Sequence, residues 1–282
     1  HIEASAFGYS IRFRVDGVLK EAAKIEWPRG RQFFADNRVL MGFNSFILGA
    51  PQDCRFSHPN EKVDFRASIM PMKYGEKAVL RLLERGKEFS LDKYPLYDDA
   101  KMLLSRAILK KQGLIIISGP TGSGKTTLLY SAIGSLNRKI LNISTIEDPI
   151  EYELAGLNQS EVNIEKGMSF QTGLRALMRQ DPDVIMVGEI RDTETAKTVI
   201  HAASTGHLVF STIHANSSLE ILSRLEGLGV DTCQLKELLI FASAQRLVKK
   251  QCPRCLEDDP KSIILLNELY AENKTGFTPK KS

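Results

Sequence analysis

The sequence is poor in the features that commit a chain to a membrane or to a disulfide-stabilised fold. Its 282 residues include four cysteines, of which only Cys252 and Cys255 lie close together. That is no disulfide framework, and it fits a reducing compartment. No apolar run approaches the roughly 18 residues of a membrane-spanning helix, and no signal peptide is recognisable at a start that is His1 rather than Met. The default expectation is a cytoplasmic protein.

The sequence also has a small net charge and few aromatic side chains. The 38 lysines and arginines nearly balance the 34 aspartates and glutamates, and aromatic residues make up only 7% of the chain. Surfaces that bind nucleic acids are usually strongly basic and often carry stacking aromatics, so we expect no nucleic-acid partner. With 43% hydrophobic and 26% charged residues, the composition is that of a globular protein with a sizeable core.

Residues 1–85 are predicted to form a small α+β domain. The stretch "SIRFRV" alternates apolar and polar side chains, and a tight turn at Asp16-Gly17 followed by "VLKEA" is typical of a β-hairpin. Further strands are predicted at residues 63–69 and 78–83, joined by a segment that contains Pro71 and Gly75, with a helix within residues 31–48. Residues 86–97 are polar and broken by Gly and Pro, and we predict a linker there.

Residues 98–250 alternate helical and strand-like patterns. Short apolar strands are predicted in "LIIIS", "ILNIST", "VIMV" and "HLVFST", with helices at residues 98–112, from Lys125 onward, and over "TETAKTVIHAAS". Such alternation predicts an α/β domain with a parallel sheet covered on both faces. Residues 251–282 are assigned to a separate C-terminal segment.

A complete phosphate-binding loop follows the first of these strands. The residues Gly119, Pro120, Thr121, Gly122, Ser123, Gly124, Lys125 and Thr126 match G-x-x-x-x-G-K-[ST], with Thr127 next to them at the start of a predicted helix. Backbone amides of such a loop surround phosphate oxygens, and the helix N-terminus favours negative charge. Lys125 is predicted to reach the β- and γ-phosphates, and the Thr126 hydroxyl to bind Mg²⁺. ATP and Mg²⁺ are therefore the expected ligands.

An acidic residue follows another predicted strand. In "DPDVIMVGEIRD" the strand is followed by Gly188 and Glu189. An acid at a strand end beside a P-loop is suited to polarising the attacking water or to holding Mg²⁺ through its water shell. Asp181 and Asp183 lie upstream, and from sequence alone they serve the site or the turn into the strand equally well.

Acids and histidines also accumulate near two other strand ends. "STIEDPIEYE" places Glu147, Asp148, Glu151 and Glu153 within seven residues, where their mutual repulsion calls for a cation or arginines. In "TGHLVFSTIHAN", His207 and His214 bracket a strand. Because their separation is odd, the two side chains are expected on opposite faces, which argues against a shared metal ion. A histidine at a strand end near the P-loop is suited to hydrogen-bonding phosphate.

The pair Cys252 and Cys255 forms a C-x-x-C motif that supplies half of a tetrahedral zinc site. A second pair is missing from the sequence, and Cys54 and Cys233 are isolated. Two states of this pair therefore stay open, one that binds Zn²⁺ and one that is reduced and holds no metal.

Together these motifs resemble the secretion ATPase superfamily, in the branch that powers type II secretion and type IV pilus assembly. Four stretches in order carry the resemblance, which covers residues 1–256: "GPTGSGKTT", "STIEDPIEYE", "RQDPDVIMVGEIRD" and "STGHLVFSTIHAN". The front end is similar to the family's second N-terminal domain. The implied fold is a RecA-like P-loop domain with a parallel sheet, preceded by a small α+β domain. The implied protein is a cytoplasmic ATPase at the inner membrane.

The resemblance also implies roles for single residues. Glu189 corresponds to the catalytic glutamate, Glu147, Asp148 and Glu151 to the acidic box, and His207 and His214 to the histidine box. Arg66 and Arg81 match arginines that the small domain directs at the phosphates, and Arg175 and Arg179 match further arginines near the nucleotide. Guanidinium groups suit that task because they neutralise charge on the transferred phosphoryl group.

The family further implies a hexameric ring that acts on an inner-membrane platform protein and a membrane-docking complex. Hydrolysis in such a ring drives assembly of pilus or pseudopilus subunits for type II secretion, type IV pili or DNA uptake. Two alternatives remain from the sequence. One is a RecA-like nucleic-acid motor, and the other is a nucleotide-gated scaffold that binds ATP without turnover.

Overall fold

The computed structural model describes residues 1–15, 17–57, 63–84 and 88–248. Residues His1–Gln245 form one compact unit, and a second unit begins at Arg246. The predicted zinc ligands Cys252 and Cys255, with the whole of segment 251–282, lie outside the described residues and stay predictions. None of the helices within the described ranges has the length and apolarity needed to cross a bilayer.

The first sheet is antiparallel and has six strands in the order β3-β2-β1-β6-β5-β4. The predicted hairpin is confirmed, since Val15 of β2 pairs with Val18 of β3, although Asp16 itself is outside the described residues. The strands are Ile2–Ser5 (β1), Gly8–Val15 (β2), Val18–Glu26 (β3), Gln52–Ser57 (β4), Val63–Met72 (β5) and Gly75–Glu84 (β6). One helix, α1 (Arg29–Leu40), accompanies them.

One face of this sheet is apolar, and it packs together with aromatic side chains of the sheet and of α1. Tyr9 stacks on Phe34 of α1 with ring centroids 4.8 Å apart. Along β5 the side chains alternate, with Ala67 and Ile69 fully buried while Arg66 and the other intervening residues are exposed. That period of two is what a half-buried antiparallel strand requires.

Two local predictions for this region were wrong. The helix expected within residues 31–48 ends at Leu40, because the chain turns at Gly42, whose φ of +79° favours glycine. Pro71 was expected in a connecting segment, but it lies inside β5. The β4 partner strand ends its pairing at Ile69, so the missing N–H of Pro71 faces no strand on that side.

The second sheet is parallel throughout and has six strands in the order β12-β7-β11-β10-β8-β9. The strands are Gly113–Ser118 (β7), Ile143–Glu147 (β8), Asn158–Glu161 (β9), Val184–Val187 (β10), Leu208–Ile213 (β11) and Leu239–Ala244 (β12). The predicted parallel sheet is confirmed. Every residue of β7, β8, β10 and β11 is buried, which explains their nearly continuous apolar sequences.

Helices cover both faces of the parallel sheet. One face packs α2 and α3 in a core around Leu104, Leu129 and Phe210, and the other packs α4 to α7 around Leu174, Val199 and Ile221. The helices are Asp98–Ala107 (α2), Lys125–Gly134 (α3), Phe170–Leu177 (α4), Thr193–Ser204 (α5), Ser218–Gly227 (α6) and Thr232–Leu238 (α7). The predicted helix over "TETAKTVIHAAS" has the observed bounds of α5. The helix expected from Asp98 up to the residue before Gly113 ends at Ala107, five residues early.

Candidate functional site

Four predicted site segments meet at the carboxyl edge of the parallel sheet. The P-loop follows β7, Glu147 ends β8, Glu189 follows β10 and His214 follows β11. Because these four strands are consecutive in the order β7-β11-β10-β8, their ends lie side by side. Ligands of open α/β sheets bind at this edge.

The P-loop has the backbone geometry that a phosphate cradle needs. Gly119, Gly122 and Gly124 have φ angles of +144°, +76° and +85°, all in the region that favours glycine. Gly124 precedes the ten-residue helix α3, which begins at Lys125, so the free N–H groups of the first helical turn border the loop. The loop fits a bound triphosphate.

Lys125 folds back over the loop that contains it. Its Nζ donates hydrogen bonds to the carbonyl oxygens of Gly119 and Pro120, at 2.9 and 3.1 Å. Burial lowers the pKa of Lys125, and the nearby charge of Glu189 partly offsets that effect. The two side chains therefore lie close enough for the charge of Glu189 to act on the pKa of Lys125. Thr126 and Thr127 are half-buried in the first turn of α3.

The backbone around Glu189 is fixed by both neighbouring strands. Gly188 N donates to the carbonyl oxygen of Ile146 at 2.8 Å, and Ile190 N donates to that of Thr212 at 2.9 Å. The Thr212 hydroxyl donates in turn to the Gly188 carbonyl oxygen at 2.7 Å. These bonds join the ends of β8, β10 and β11, and they present Glu189 at a defined place in the edge.

The side chains of Arg191 and His214 flank the Glu189 carboxylate. The Arg191 guanidinium donates to Glu189 Oε1, and His214 Nε2 lies 3.6 Å from Oε2. Arg191 also lies 3.5 Å from Asp148 Oδ2, so it joins the acidic box to the glutamate. The side chain of Glu189 is 17% exposed, which leaves it accessible from the edge.

Sequence analysis missed Arg191. The signal was available, because Arg191 stands two residues after Glu189 in "GEIRD". The two-residue spacing does not show that the Arg191 side chain turns back to the Glu189 carboxylate. The conformation of the folded loop does show it.

Glu147 lies beneath the edge rather than on it. It is 2% exposed and accepts hydrogen bonds from Thr145 Oγ1 at 2.6 Å, from Gln159 Nε2 at 3.1 Å and from the Tyr130 hydroxyl. Tyr130 belongs to α3, the helix that follows the P-loop. Glu147 therefore links β8, the strand of the acidic box, to α3, the helix that follows the P-loop.

Burial raises the pKa of Glu147, although its hydrogen bonds act in the opposite direction. Between the ordinary glutamate pKa, about 4.5, and the raised value, the folded chain retains a proton that the unfolded chain has lost. Stability contributed by this proton is present at low pH and falls as pH rises through that window. Glu147→Gln cannot ionise and removes this slope, which amounts to about 1.4 kcal/mol for each unit by which the pKa is raised.

Urea unfolding between pH 5 and pH 8 measures that slope directly. Glu153→Gln is the matched control, since Glu153 is an exposed carboxylate in the same acidic stretch. We expect the control to keep the pH dependence of the parent. Identical slopes for Glu147→Gln and the parent would show that the pKa of Glu147 is not raised.

The other acidic-box residues occupy the turn after β8. Asp148 precedes a cis peptide bond to Pro149 and is exposed next to Arg191. Glu151 is half-buried and close enough to Glu147 for its charge to contribute to the raised pKa of Glu147. Both residues thus border the carboxyl edge of β8.

His207 lies at the opposite edge of the sheet. It immediately precedes β11, and its Nδ1 contacts the Ala202 carbonyl oxygen at 2.9 Å, at the end of α5. The length of β11 separates it from His214 by roughly 20 Å. Asp183 lies at that same far edge, where it accepts a hydrogen bond from Asn142 N at 2.7 Å. Within one chain His214 joins the site and His207 does not.

Three arginines form a row across the antiparallel sheet. Arg66 of β5 pairs directly with Arg81 of β6 and with Arg55 of β4, so the three share one exposed face. Like charges directly opposite each other are destabilising, so such a row calls for an anion. Arg55, which sequence analysis missed, donates to the Ile150 carbonyl oxygen and lies 4.0 Å from Glu161.

Arg175 and Arg179 lie away from the carboxyl edge. Arg175 belongs to α4, and Arg179 follows that helix and donates to the Arg175 carbonyl oxygen at 2.8 Å. The start of α4 borders the edge, since Phe170 lies near Gly188, and its later residues run down the sheet at about 1.5 Å each. Both side chains are exposed on the outside of the chain.

Across the part of the chain that the structure describes, no three His, Cys, Asp or Glu side chains are placed together to hold a metal ion. Mg²⁺ does not require such a cluster, because beside a nucleotide it keeps several waters and takes one or two protein ligands plus phosphate oxygens. Thr126, half-buried at the start of α3, and the Glu189 carboxylate fit that donor set.

Comparison with known proteins agrees with this geometry. The sequence matches, over residues 1–280, the family described as Type II/IV secretion system protein. It is 42% identical over 281 residues to the type IV pilus assembly ATPase PilB of Pseudomonas aeruginosa, covering 98% of this chain and 50% of that protein. It is 43% identical over 264 residues to the type II secretion system protein E of Klebsiella pneumoniae, covering 92% of this chain and 53% of that protein.

Solved structures give the same result. The crystal structure of the pilus retraction motor PilT with bound ADP superimposes with a TM-score of 0.67 at 30% identity, covering 96% of this chain and 84% of that one. The chain spans about half the length of the curated relatives it matches, 50% and 53% for the two named above. On the extent and identity of these matches, the chain belongs to the Type II/IV secretion system protein family.

Proposed function

We propose that this chain is the ATP-hydrolysing part of a motor that assembles pilus or pseudopilus subunits. The observation that carries the proposal is the position of Glu189, directly after β10, at the same sheet edge as a complete P-loop directly after β7. Its relatives are named as a type IV pilus assembly ATPase and as type II secretion system protein E. Type II secretion, type IV pili and DNA uptake are the machines that this proposal includes.

The chain's own residues divide the work of hydrolysis. Amides of the loop from Gly119 to Gly124 bind phosphate oxygens, and Lys125 leaves its carbonyl partners to contact the β- and γ-phosphates. Thr126 and Glu189 would hold Mg²⁺, which would neutralise charge on the phosphates. Glu189 orients the attacking water and accepts its proton. Arg191 and His214 keep the Glu189 carboxylate in place from either side.

The arginine row supplies positive charge from the antiparallel sheet. Arg66 and Arg81 neutralise the charge that develops on the γ-phosphoryl group, since two arginines directly opposite each other on neighbouring strands are stabilised by an anion. Arg55 instead contacts the turn after Asp148, since it donates to the Ile150 carbonyl oxygen. The row thereby connects the small sheet to the acidic box.

A ring of several copies, a hexamer in this proposal, explains the remaining arginines. Arg175 and Arg179 are exposed on the outside of α4 and away from the P-loop edge of their own chain. In the ring, Arg175, Arg179 and the distant His207 of one copy lie next to the nucleotide that a neighbouring copy binds. The ring acts in the cytoplasm at the inner membrane, on a platform protein and a membrane-docking complex.

The rate of ATP hydrolysis per protomer, measured against protein concentration, tests this proposal. If a neighbouring copy completes each site, the specific rate rises with concentration and reaches a plateau, which tracks assembly measured by light scattering. A polynucleotide added at the plateau leaves the rate unchanged. A specific rate independent of concentration argues for a complete site in one chain, and stimulation by polynucleotide argues for a nucleic-acid motor. ATP binding without hydrolysis at any concentration indicates a nucleotide-gated scaffold.

A further inference from the structure

Two residues far apart in the sequence contact the back of the P-loop. Gln245 follows β12, and Tyr94 lies in the stretch between the two sheets. The Gln245 side-chain amide donates to the Tyr94 hydroxyl and to the carbonyl oxygen of Ser123, the latter at 2.7 Å. The Tyr94 hydroxyl lies 3.4 Å from the carbonyl oxygen of Gly124, to which it donates. The Ser123 carbonyl group is thus held from outside the loop, and the Gly124 carbonyl group, which also accepts from Leu128 N of α3 at 3.0 Å, has Tyr94 as a second partner.

The main chain of Gln245 is fixed against the first residues of the same loop. Gln245 N donates to the carbonyl oxygen of Ser118 at 2.8 Å, one residue beyond the last β7–β12 pair. The Gln245 carbonyl oxygen packs so tightly on Gly119 that a Cβ there would lie 2.4 Å from it. Gln245 therefore contacts the loop at its beginning, through Ser118 and Gly119, and near its end, through Ser123.

Holding a carbonyl group also directs the amide of the same peptide. A trans peptide is planar, so its C=O and N–H point in opposite directions. When the Ser123 and Gly124 carbonyls point back to Gln245 and Tyr94, the N–H groups of Gly124 and Lys125 point forward, into the loop. Those two amides are among the successive N–H groups that a P-loop offers to phosphate.

The surroundings favour this arrangement. Tyr94 and Gln245 are half-buried, so water competes less for their hydrogen bonds. Burial raises the pKa of Tyr94, so its hydroxyl keeps the proton that it donates. Neither residue belongs to the P-loop motif.

We propose that Gln245 and Tyr94 are positioning residues that hold the P-loop amides in the orientation that binds phosphate. The inference rests on nucleotide binding at the P-loop as proposed above. Gln245 is also the last residue of the first compact unit, and Tyr94 lies between the two sheets.

Equilibrium titration of the 282-residue chain with a fluorescent ADP analogue tests the inference. Tyr94→Phe removes one hydroxyl, and Gln245→Met removes the amide at nearly constant length. We expect affinity to fall about fivefold for Tyr94→Phe, which loses the bond to Gln245 and the long bond to Gly124, and about tenfold for Gln245→Met, which loses the bond to Tyr94 and the shorter bond to Ser123. The double variant loses less than the product of the two, because the two side chains bond each other.

Tyr97→Phe is the matched control, since Tyr97 stands three residues from Tyr94 and is 88% exposed. It keeps the affinity of the parent, and the melting temperature of each nucleotide-free variant falls by at most a few degrees. Failure of the parent to bind the analogue overturns the proposed function and this inference with it. Binding by the parent with Tyr94→Phe and Gln245→Met within twofold overturns the inference alone. So does a loss of affinity that simply follows a lowered melting temperature.

Discussion

Replacing Glu189 by glutamine is expected to lower ATP turnover about a thousandfold while leaving ATP affinity within a few-fold of the parent. The carboxamide has nearly the same shape but cannot accept the proton of the attacking water. The backbone bonds of Gly188 and Ile190 to the neighbouring strands do not involve the side chain, so the edge keeps its structure. Phosphate release measures turnover, and titration with a fluorescent, non-hydrolysable ATP analogue measures binding.

Glu194→Gln is the matched control for this variant. Glu194 is an exposed carboxylate five residues downstream, in the first turn of α5, and is hydrogen-bonded to Gln171 at 2.9 Å. We expect it to keep turnover within twofold of the parent. Full activity of Glu189→Gln would remove Glu189 from the chemistry. A loss of binding equal to the loss of turnover would instead give Glu189 a structural role.

The second large effect is expected from Gly119→Ala, which should weaken nucleotide affinity about a hundredfold or more. An added Cβ would lie 2.4 Å from the Gln245 carbonyl oxygen and 2.6 Å from Ser123 Oγ. The first of these is backbone anchored to β7, so the loop itself must move. The φ of +144° at Gly119 adds backbone strain of about 1–3 kcal/mol for a residue with a side chain. Both terms also lower the free energy of unfolding.

Gly122→Ala separates the steric clash of the added Cβ from the backbone strain, the two causes expected to act in Gly119→Ala. Gly122 also has a positive φ, +76°, but a Cβ there meets no atom within 4 Å. This control should lose about 1–2 kcal/mol of stability through strain alone and keep most of its nucleotide affinity. Calorimetric melting and nucleotide titration, done on both variants, give the comparison. Equal losses of affinity at the two positions would contradict the steric argument for Gly119.

Local patterns were enough to predict the fold class and the order of the main motifs. Strands such as "LIIIS" and "VIMV" are buried on both sides, so their apolar runs were unambiguous, and α5 has the bounds that its pattern predicted. The edge strand β9, with the polar sequence NQSE, carries no such signal and was missed. Strand β12 was also missed. Helix α1 ended early because a single glycine conformation at Gly42 overrode the apparent helical period.

The candidate site was only partly predictable, for reasons that particular residues make clear. Gly119, Lys125 and Glu189 follow strands directly, so spacing along the chain indicates their place. Glu147 follows the same rule in sequence, yet its side chain turns inward to Tyr130. His207 and His214 belong to one motif, but a strand crosses the sheet between them, so they lie at opposite edges.

The sequence by itself determined the parallel sheet, the P-loop and the identity of the acid that follows β10, because each depends on residues close together in the chain. Only the tertiary structure decided which residues that are distant in the sequence lie next to each other. Arg55, Arg66 and Arg81 align through strand register, and Gln245 meets Tyr94 across 151 positions. Strand order and register bring such residues together, and both are set by packing of the whole sheet rather than by any local pattern.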